Sequence, residues 1–379
     1  MIDTIFKAIR YGLNNKTIDF EINDEKAFSQ AIFENGLIGI IVPSLSKETI
    51  KDEKLYKVLL NALNEYIVVD TKQIYYIDKI KNALNENEIN FIFLKGSHLK
   101  QIYPKSYMRG MGDIDVIVKS EDIEKVNLIF KNLDFKLTGK TTHHLTYQTI
   151  DNVEIELHNS VLSELESKES LFNNIWEYTN DENNLILGYE LVYLVKHLAR
   201  HTRSSGIGIR SILDIEIFER YYKDDINYNK VHEFLKLEKL DLFYDKIKTI
   251  NAIILNNKKY DENTKNTLNY LFKSGIHGSG SNYNPYVSRG VYQFKGGKFK
   301  YYFGMAFPSY KVMKGRYNSL KYVPILLPFY YVVRWISFLF KGSKSIKKRR
   351  TALNEKDLIK ETVDVLNYFG LNEEWHNRY

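Results

Sequence analysis

The sequence predicts an α+β protein: a small mixed sheet flanked by helices, set between an N-terminal and a C-terminal helical region. Three observations predict it. Apolar residues recur at three- and four-residue intervals from Asp52 to about Leu84 and again from about 185 to 270, the period of amphipathic helices. Between them, Phe91-Ile92-Phe93-Leu94 is a short continuous apolar run of the kind that forms a buried strand. Further on, Val153-Glu154-Ile155-Glu156-Leu157-His158 alternates with period two, one face apolar and the other polar. The expected divisions are 1–88 for the N-terminal helical region, 89–180 for the sheet-bearing core and 181–379 for a mainly helical remainder.

In chain order, Glu25 to Asn35 reads as a helix after a cap at Asn23. A long helix, or two, follows from Asp52, with Leu55, Leu59, Ala62, Tyr66, Ile77, Ile80 and Leu84 among the residues that share its period. After the strand at 91–94 come Lys95-Gly96-Ser97, a strand at Ile114 to Val118, a helix at Glu121 to Leu133, a strand around Phe135 to Thr138 and the alternating strand at Val153 to His158. Leu187 to His201, Ile209 to Tyr222 and the stretch after Tyr228 read as helices. Ser274 to Gly297, rich in Gly, Ser and Asn, reads as a long loop, either a cover over substrate or a surface linker. Tyr322 to Phe340 is apolar and aromatic but interrupted by Pro324, Pro328 and Arg334, with the basic run Lys344 to Arg350 beyond it. A spanning helix needs about 20 apolar residues without such breaks. The segment therefore reads as a packed helix, with peripheral membrane contact through 322–350 as the alternative.

Composition narrows the chemistry. The chain has 379 residues, 44% hydrophobic and 27% charged, so it folds around a sizeable core. It has no cysteine, which excludes a disulfide framework, a thiolate zinc site and a cysteine nucleophile. Charge within Met1 to Lys7 argues against a signal peptide, so a cytoplasmic location is expected. A net charge of +7 suits an anionic partner: a nucleotide, a nucleic acid or an acidic membrane face.

The informative residues lie between Phe91 and His158. If a strand ends at Leu94 and a helix begins at Ser97, the amides of its first turn can meet a triphosphate, with Gly96 permitting close approach and Ser97 capping or bonding a phosphate oxygen. Asp113 and Asp115 are two apart, so on a strand both carboxylates leave one face while Ile114 and Val116 enter the core. Such a pair suits Mg²⁺ or Mn²⁺, which take carboxylate, water and phosphate oxygens. Burying two unpaired carboxylates has no structural benefit, because it is costly. A third carboxylate from a neighbouring strand completes the set: Glu156, with Glu154 as its rival on the same face. His158 shares that face and reads as a substrate or supporting contact. Lys95, Lys100 and Arg109 are the candidate cations for the phosphates.

These residues, Phe93-Leu94-Lys95-Gly96-Ser97, Gly112-Asp113-Ile114-Asp115-Val116-Ile117-Val118 and Glu154-Ile155-Glu156-Leu157-His158, resemble the bacterial and archaeal family of uncharacterised nucleotidyltransferases in the DNA polymerase β-like superfamily. That family's catalytic domain carries the pattern hG[GS]…DhDh…hEh. Lys196-His197-Leu198-Ala199-Arg200-His201, Ile209 to Ile215 and Phe307-Pro308-Ser309 are similar to later parts of it. The resemblance implies a polymerase β-like core, a phosphate role for Gly96 and Ser97, metal binding by Asp113 and Asp115, and Glu156 as third carboxylate. It implies transfer of a nucleoside monophosphate from a nucleoside triphosphate, with pyrophosphate leaving. Fifteen residues separate Ser97 from Asp113, a wider spacing than is usual in the superfamily, so an enlarged loop is expected. A small molecule or glycan precursor is favoured as acceptor, because no RNA-binding module is present. A toxin-like enzyme modifying tRNA or protein, and a non-catalytic scaffold docking to a membrane or assembly, are the alternatives.

Other residues carry plainer readings. His197 and His201, four apart, share a helix face, but no Glu follows His197 to make a zinc-protease motif, so packing or hydrogen bonding is preferred to metal. Adjacent His143 and His144 point to opposite faces of an extended chain and are set aside. Arg203, Arg210 and Asp214 lie in a helical segment that can wall the active cleft, where an arginine would bind phosphate, but a surface ion pair is preferred for each, and Gly206-Ile207-Gly208 reads as a turn.

Overall fold

The computed structural model describes residues 1–141, 144–162, 170–180, 184–278, 280, 303–304, 306–341 and 356–371. The chain opens with helices α1 (Ile2–Leu13), α2 (Glu25–Glu34), α3 (Ile38–Ile41) and α4 (Glu53–Glu86). The cap of α2 is Asp24, whose carboxylate accepts from the Ala27 amide, one residue after the Asn23 expected. Asp52 caps α4 by accepting from the amides of Lys54 and Leu55, and α4 runs unbroken for 34 residues.

Five strands follow: β1 (Phe91–Phe93), β2 (Asp113–Val118), β3 (Lys136–Lys140), β4 (His144–Gln148) and β5 (Glu154–His158). Helix α5 (Gly96–Ile102) joins β1 to β2, and α6 (Ile123–Asn132) joins β2 to β3. The sheet order is β1-β2-β5-β4-β3, with β2 and β5 parallel and the other neighbours antiparallel. Strand β4 is absent from the sequence expectations. Only Leu145 and Tyr147 of its five residues turn inward, too short an alternation to stand out.

Period two decides what each face of the sheet does. Ile114, Val116, Leu145, Tyr147, Ile155 and Leu157 form a core with Ile77, Ile80 and Leu84 of α4 and Val126 and Phe130 of α6. Each such side chain contributes about 1.5–3 kcal/mol on full burial. The remaining positions, among them Asp113, Asp115, Glu156 and His158, are thereby forced onto the opposite face.

Helices α7 (Leu187–Ser204), α8 (Ile209–Tyr221), α9 (Tyr228–Glu238), α10 (Asp241–Asn256) and α11 (Glu262–Ser274) share one larger core with α1–α3, in which Ile5, Ile9, Leu213, Ile254 and Phe272 are all buried. Arg10 fastens α1 to α10 by donating to the Ile254 carbonyl at 2.5 Å. Of the expected loop at 274–297, residues 274–278 and 280 are described, Ser274 being the buried last residue of α11; the rest lies outside the described residues. Helices α12 (Tyr310–Arg316), α13 (Leu327–Lys341) and α14 (Lys356–Tyr368) complete the described chain. The basic run at 344–350 lies outside it. Among the described residues no helix is long and apolar enough to cross a membrane.

Candidate active site

The site begins where β1 ends. The Leu94 amide donates to the Asp115 carbonyl at 3.0 Å, extending the β1–β2 pairing by one residue. Lys95 then takes φ 48° and ψ −111°, a conformation rare for a bulky side chain, and the chain turns into α5. That reversal brings Lys95 Nζ within 3.0 Å of Asp115 Oδ1. A Cβ on Gly96 would lie 2.5 Å from Arg109 Nη1 and 2.8 Å from Met111 Sδ, so the turn has room for glycine alone unless both side chains move. Ser97 is fully buried, its hydroxyl against Met111 Sδ at 3.8 Å, rather than presented to solvent.

Parallel pairing of β2 with β5 sets Asp113 beside Glu154 and Asp115 beside Glu156. Asp113, Glu154 and Glu156 each offer an oxygen, all within 4.8 Å of one another. Both rivals for the third carboxylate are therefore in the group. Asp115 stands outside it, with Oδ1 held by Lys95 and by His158 Nε2 at 2.8 Å. His158 Nε2 also lies 3.2 Å from Glu156 Oε2.

Their surroundings drive the two aspartates apart. Burial, then the charge of Asp115, pushes the Asp113 carboxyl up to about 6. Burial opposes ionisation of Asp115 as well, but Lys95 and His158 overcome it and hold that carboxyl well below the usual range. Burial works against charge on Lys95, yet Tyr193 and Asp115 keep it above its ordinary value. His158 is raised in the same way, burial being outweighed by its bonds to Asp115 and Glu156. The bond from His158 is the main reason that Glu156 titrates low.

Two of the expected phosphate cations are committed elsewhere. Lys100 is 1% exposed, with Nζ 2.7 Å from Asp70 and 3.0 Å from Gln73 Oε1, so it joins α5 to α4 instead of facing the carboxylates. Arg109 is paired with Asp214 at 3.1 Å, and Tyr103 donates to the same carboxylate at 2.7 Å, although Arg109 Nη1 still underlies Gly96. Arg203, Arg210 and Asp214 are buried, which overturns their reading as surface ion pairs. Arg210 donates to the Gly110 carbonyl and Arg203 to that of Leu371. His197 and His201 stack edge to face, contacting Arg200 and Ser205 respectively, and belong to no ligand cluster among the described residues.

Two residues were missed from sequence. His144 lies opposite His158 in register, with Nε2 3.7 Å from Glu156, and only recognition of β4 would have placed it on that face. His98 is held by buried Glu190 at 2.5 Å and by Tyr222 at 2.8 Å, contacts between distant helices that no local pattern announces. His98, Gln101, Phe93, Ile77, Leu187 and Tyr222 border a cleft of about 830 Å³. None of Asp113, Asp115, Glu154 and Glu156 lines it, so the cleft and the converging ligands lie in different places.

No curated protein matches the chain. A solved structure of the antibiotic-resistance factor ANT(2'')-Ia is similar at 12% identity and TM-score 0.33, over 48% of this chain and 98% of that one, a likeness too low to carry an argument. The model of the family described as uncharacterised nucleotidyltransferase matches residues 22–247, which includes the whole sheet, the Lys95-Gly96 turn and the carboxylate group. With more than half of its length matched, the chain belongs to that nucleotidyltransferase family.

Proposed function

We propose that this protein moves a nucleoside monophosphate from a nucleoside triphosphate to a hydroxyl or phosphate acceptor, a small molecule or glycan precursor being favoured, and releases pyrophosphate. The observation that carries this reading is the convergence of Asp113, Glu154 and Glu156 within 4.8 Å, next to Asp115, Lys95 and a glycine turn.

The donor set fits a hard divalent cation, because carboxylate oxygens meet from adjacent strands with cationic Lys95 at their edge. Asp113, Glu154 and Glu156, joined by Asp115 once it releases His158, would hold Mg²⁺ or Mn²⁺, and such ions, when bound, neutralise charge on the attacking and leaving oxygens. The chain's own groups do the rest. The amides around Gly96 and the ammonium of Lys95 orient the phosphates. With an alcohol as acceptor, its oxygen forms a bond to the α-phosphorus while the bond from that phosphorus to the bridging oxygen breaks. Pyrophosphate leaves with the electron pair, and the hydroxyl proton passes to Glu156, which is ionised because it titrates low. Incubation with α-labelled nucleoside triphosphates, divalent cation and cell extract tests this. Label must enter an acceptor with wild-type protein and not with Asp113→Asn; equal labelling, or none with either, sinks the reading.

A feature of the C-terminal third suggests where the enzyme works. From 263 to 354 the chain has 17 lysines and arginines and no aspartate or glutamate, while the rest carries 37 basic and 47 acidic residues. Tyr322, Ile325, Phe329 and Ile336 are exposed in that stretch, at 83%, 84%, 60% and 50%. Bulky apolar side chains on an acid-free background suit the surface of an anionic bilayer.

A further inference from the structure

The geometry points to a second metal site, bearing nitrogen ligands, on the same face of the sheet: His144, Glu156 and His158 are placed to hold a transition-metal dication, with Glu156 shared between it and the carboxylate group. The inference deepens the transferase reading only through that shared residue; the three ligands stand on their own arrangement. Antiparallel pairing sets His144 directly opposite His158, and Glu156 precedes His158 by two residues on one face. The imidazole rings are 5.3 Å apart and inclined at 53°. One donor atom from each of the three residues lies within 4.8 Å of the others.

Chemistry separates this group from its neighbour. Asp113, Glu154 and Glu156 offer only hard oxygens, which suit Mg²⁺. Two imidazoles and a carboxylate form a borderline set that prefers first-row transition metals to Mg²⁺, and three protein ligands leave a coordination position for a water or a phosphate oxygen. The outer contacts are present as well. Thr141 Oγ1 bonds His144 Nδ1 at 3.2 Å, which turns Nε2 toward Glu156, as the partners of metal-binding histidines do. The side chains are 18%, 21% and 11% exposed for His144, Glu156 and His158, shielded yet reachable from solvent. Binding would take His158 Nε2 from Asp115, which keeps its bond to Lys95.

Pulsed electron paramagnetic resonance of the full chain with Mn²⁺ alone tests the proposal. Directly bound imidazole nitrogen should modulate the Mn²⁺ signal, and ¹⁵N-histidine labelling should change that modulation. His144→Ala should weaken it, whereas Asp113→Asn should leave it in place. An Mn²⁺ signal with oxygen ligands only, an absence of binding, or nitrogen modulation of full strength in His144→Ala overturns the site. His144→Gln serves as a second variant if His144→Ala does not fold, because a nitrogen signal from His158 alone would persist in both. Label transfer from a nucleoside triphosphate, measured in the same preparations, keeps the two readings apart. Transfer without bound nitrogen overturns this site and spares the enzyme; bound nitrogen without transfer spares the site and sinks the enzyme.

Discussion

Asp113 and Asp115, two residues apart on one strand, differ in what their removal should do. Asp115 neutralises Lys95 and shares His158 with Glu156, so Asp115→Asn leaves the half-buried Lys95 without its carboxylate and His158 with Glu156 alone, and should cost about 3 kcal/mol in a denaturant titration. Asp113 is crowded by burial and by Asp115, so Asp113→Asn should raise the stability of the metal-free protein by about 1 kcal/mol. Both should lower turnover about 10³-fold, some 4 kcal/mol of barrier. Asp113 also sets a pH dependence. Its carboxyl is raised from 3.8 to about 6 in the fold, so its contribution to metal-free stability is complete below the lower value and is lost as pH rises through the upper one. Metal binding has the opposite sign, because the cation needs the carboxylate. The rise in Tm produced by saturating Mn²⁺ should shrink as pH falls from 7.5 through about 6; a constant rise would remove Asp113 from the ligands. That Asp113 and Asp115 share a face was legible in the sequence, because residues two apart on a strand project to the same side. The asymmetry of the pair was not, since it depends on Lys95 and on His158, 20 and 43 residues away from Asp115.

At the scale of elements, α5 shows how a role can be misread from proximity. Lys100 is one turn from Gly96, yet the helix turns it toward α4, where it meets Asp70 and Gln73. Lys100→Met should therefore destabilise the protein by about 3 kcal/mol, the usual cost of leaving a buried partner unpaired, with little change in KM for the nucleotide. A KM effect without loss of stability would return Lys100 to the phosphate site. Strands β1, β2 and β5 were readable because a short continuous apolar run or a period-two alternation marked them. Strand β4 was not: it is defined by its neighbours β3 and β5 rather than by its own two inward residues, and His144 was lost with it. The long α4 was visible through its period, whereas its task of covering the sheet with only its last three turns was not.

Across the whole molecule, charge is divided between an acid-rich body and an acid-free stretch at 263–354. The protein should co-sediment with vesicles containing anionic lipid, fail to do so with neutral vesicles, and be released by about 0.5 M salt, where the screening length falls to a few ångströms. Ile325→Glu together with Phe329→Glu should abolish the binding and leave label transfer in solution unchanged; binding to neutral vesicles of equal strength would exclude an electrostatic attraction. Sequence period located the helices on both sides of the sheet, but not that α1 closes against α10, because such a contact leaves no local trace. That closure has a consequence for synthesis. Arg10 meets the Ile254 carbonyl across a separation of 244 residues, so α1 emerges from the ribosome long before its docking surface exists. At about 5–20 residues per second the interval is roughly 10–50 s. During it the apolar side of α1 is a natural client for chaperones, while the sheet, whose strands all lie within 91–158, can already assemble.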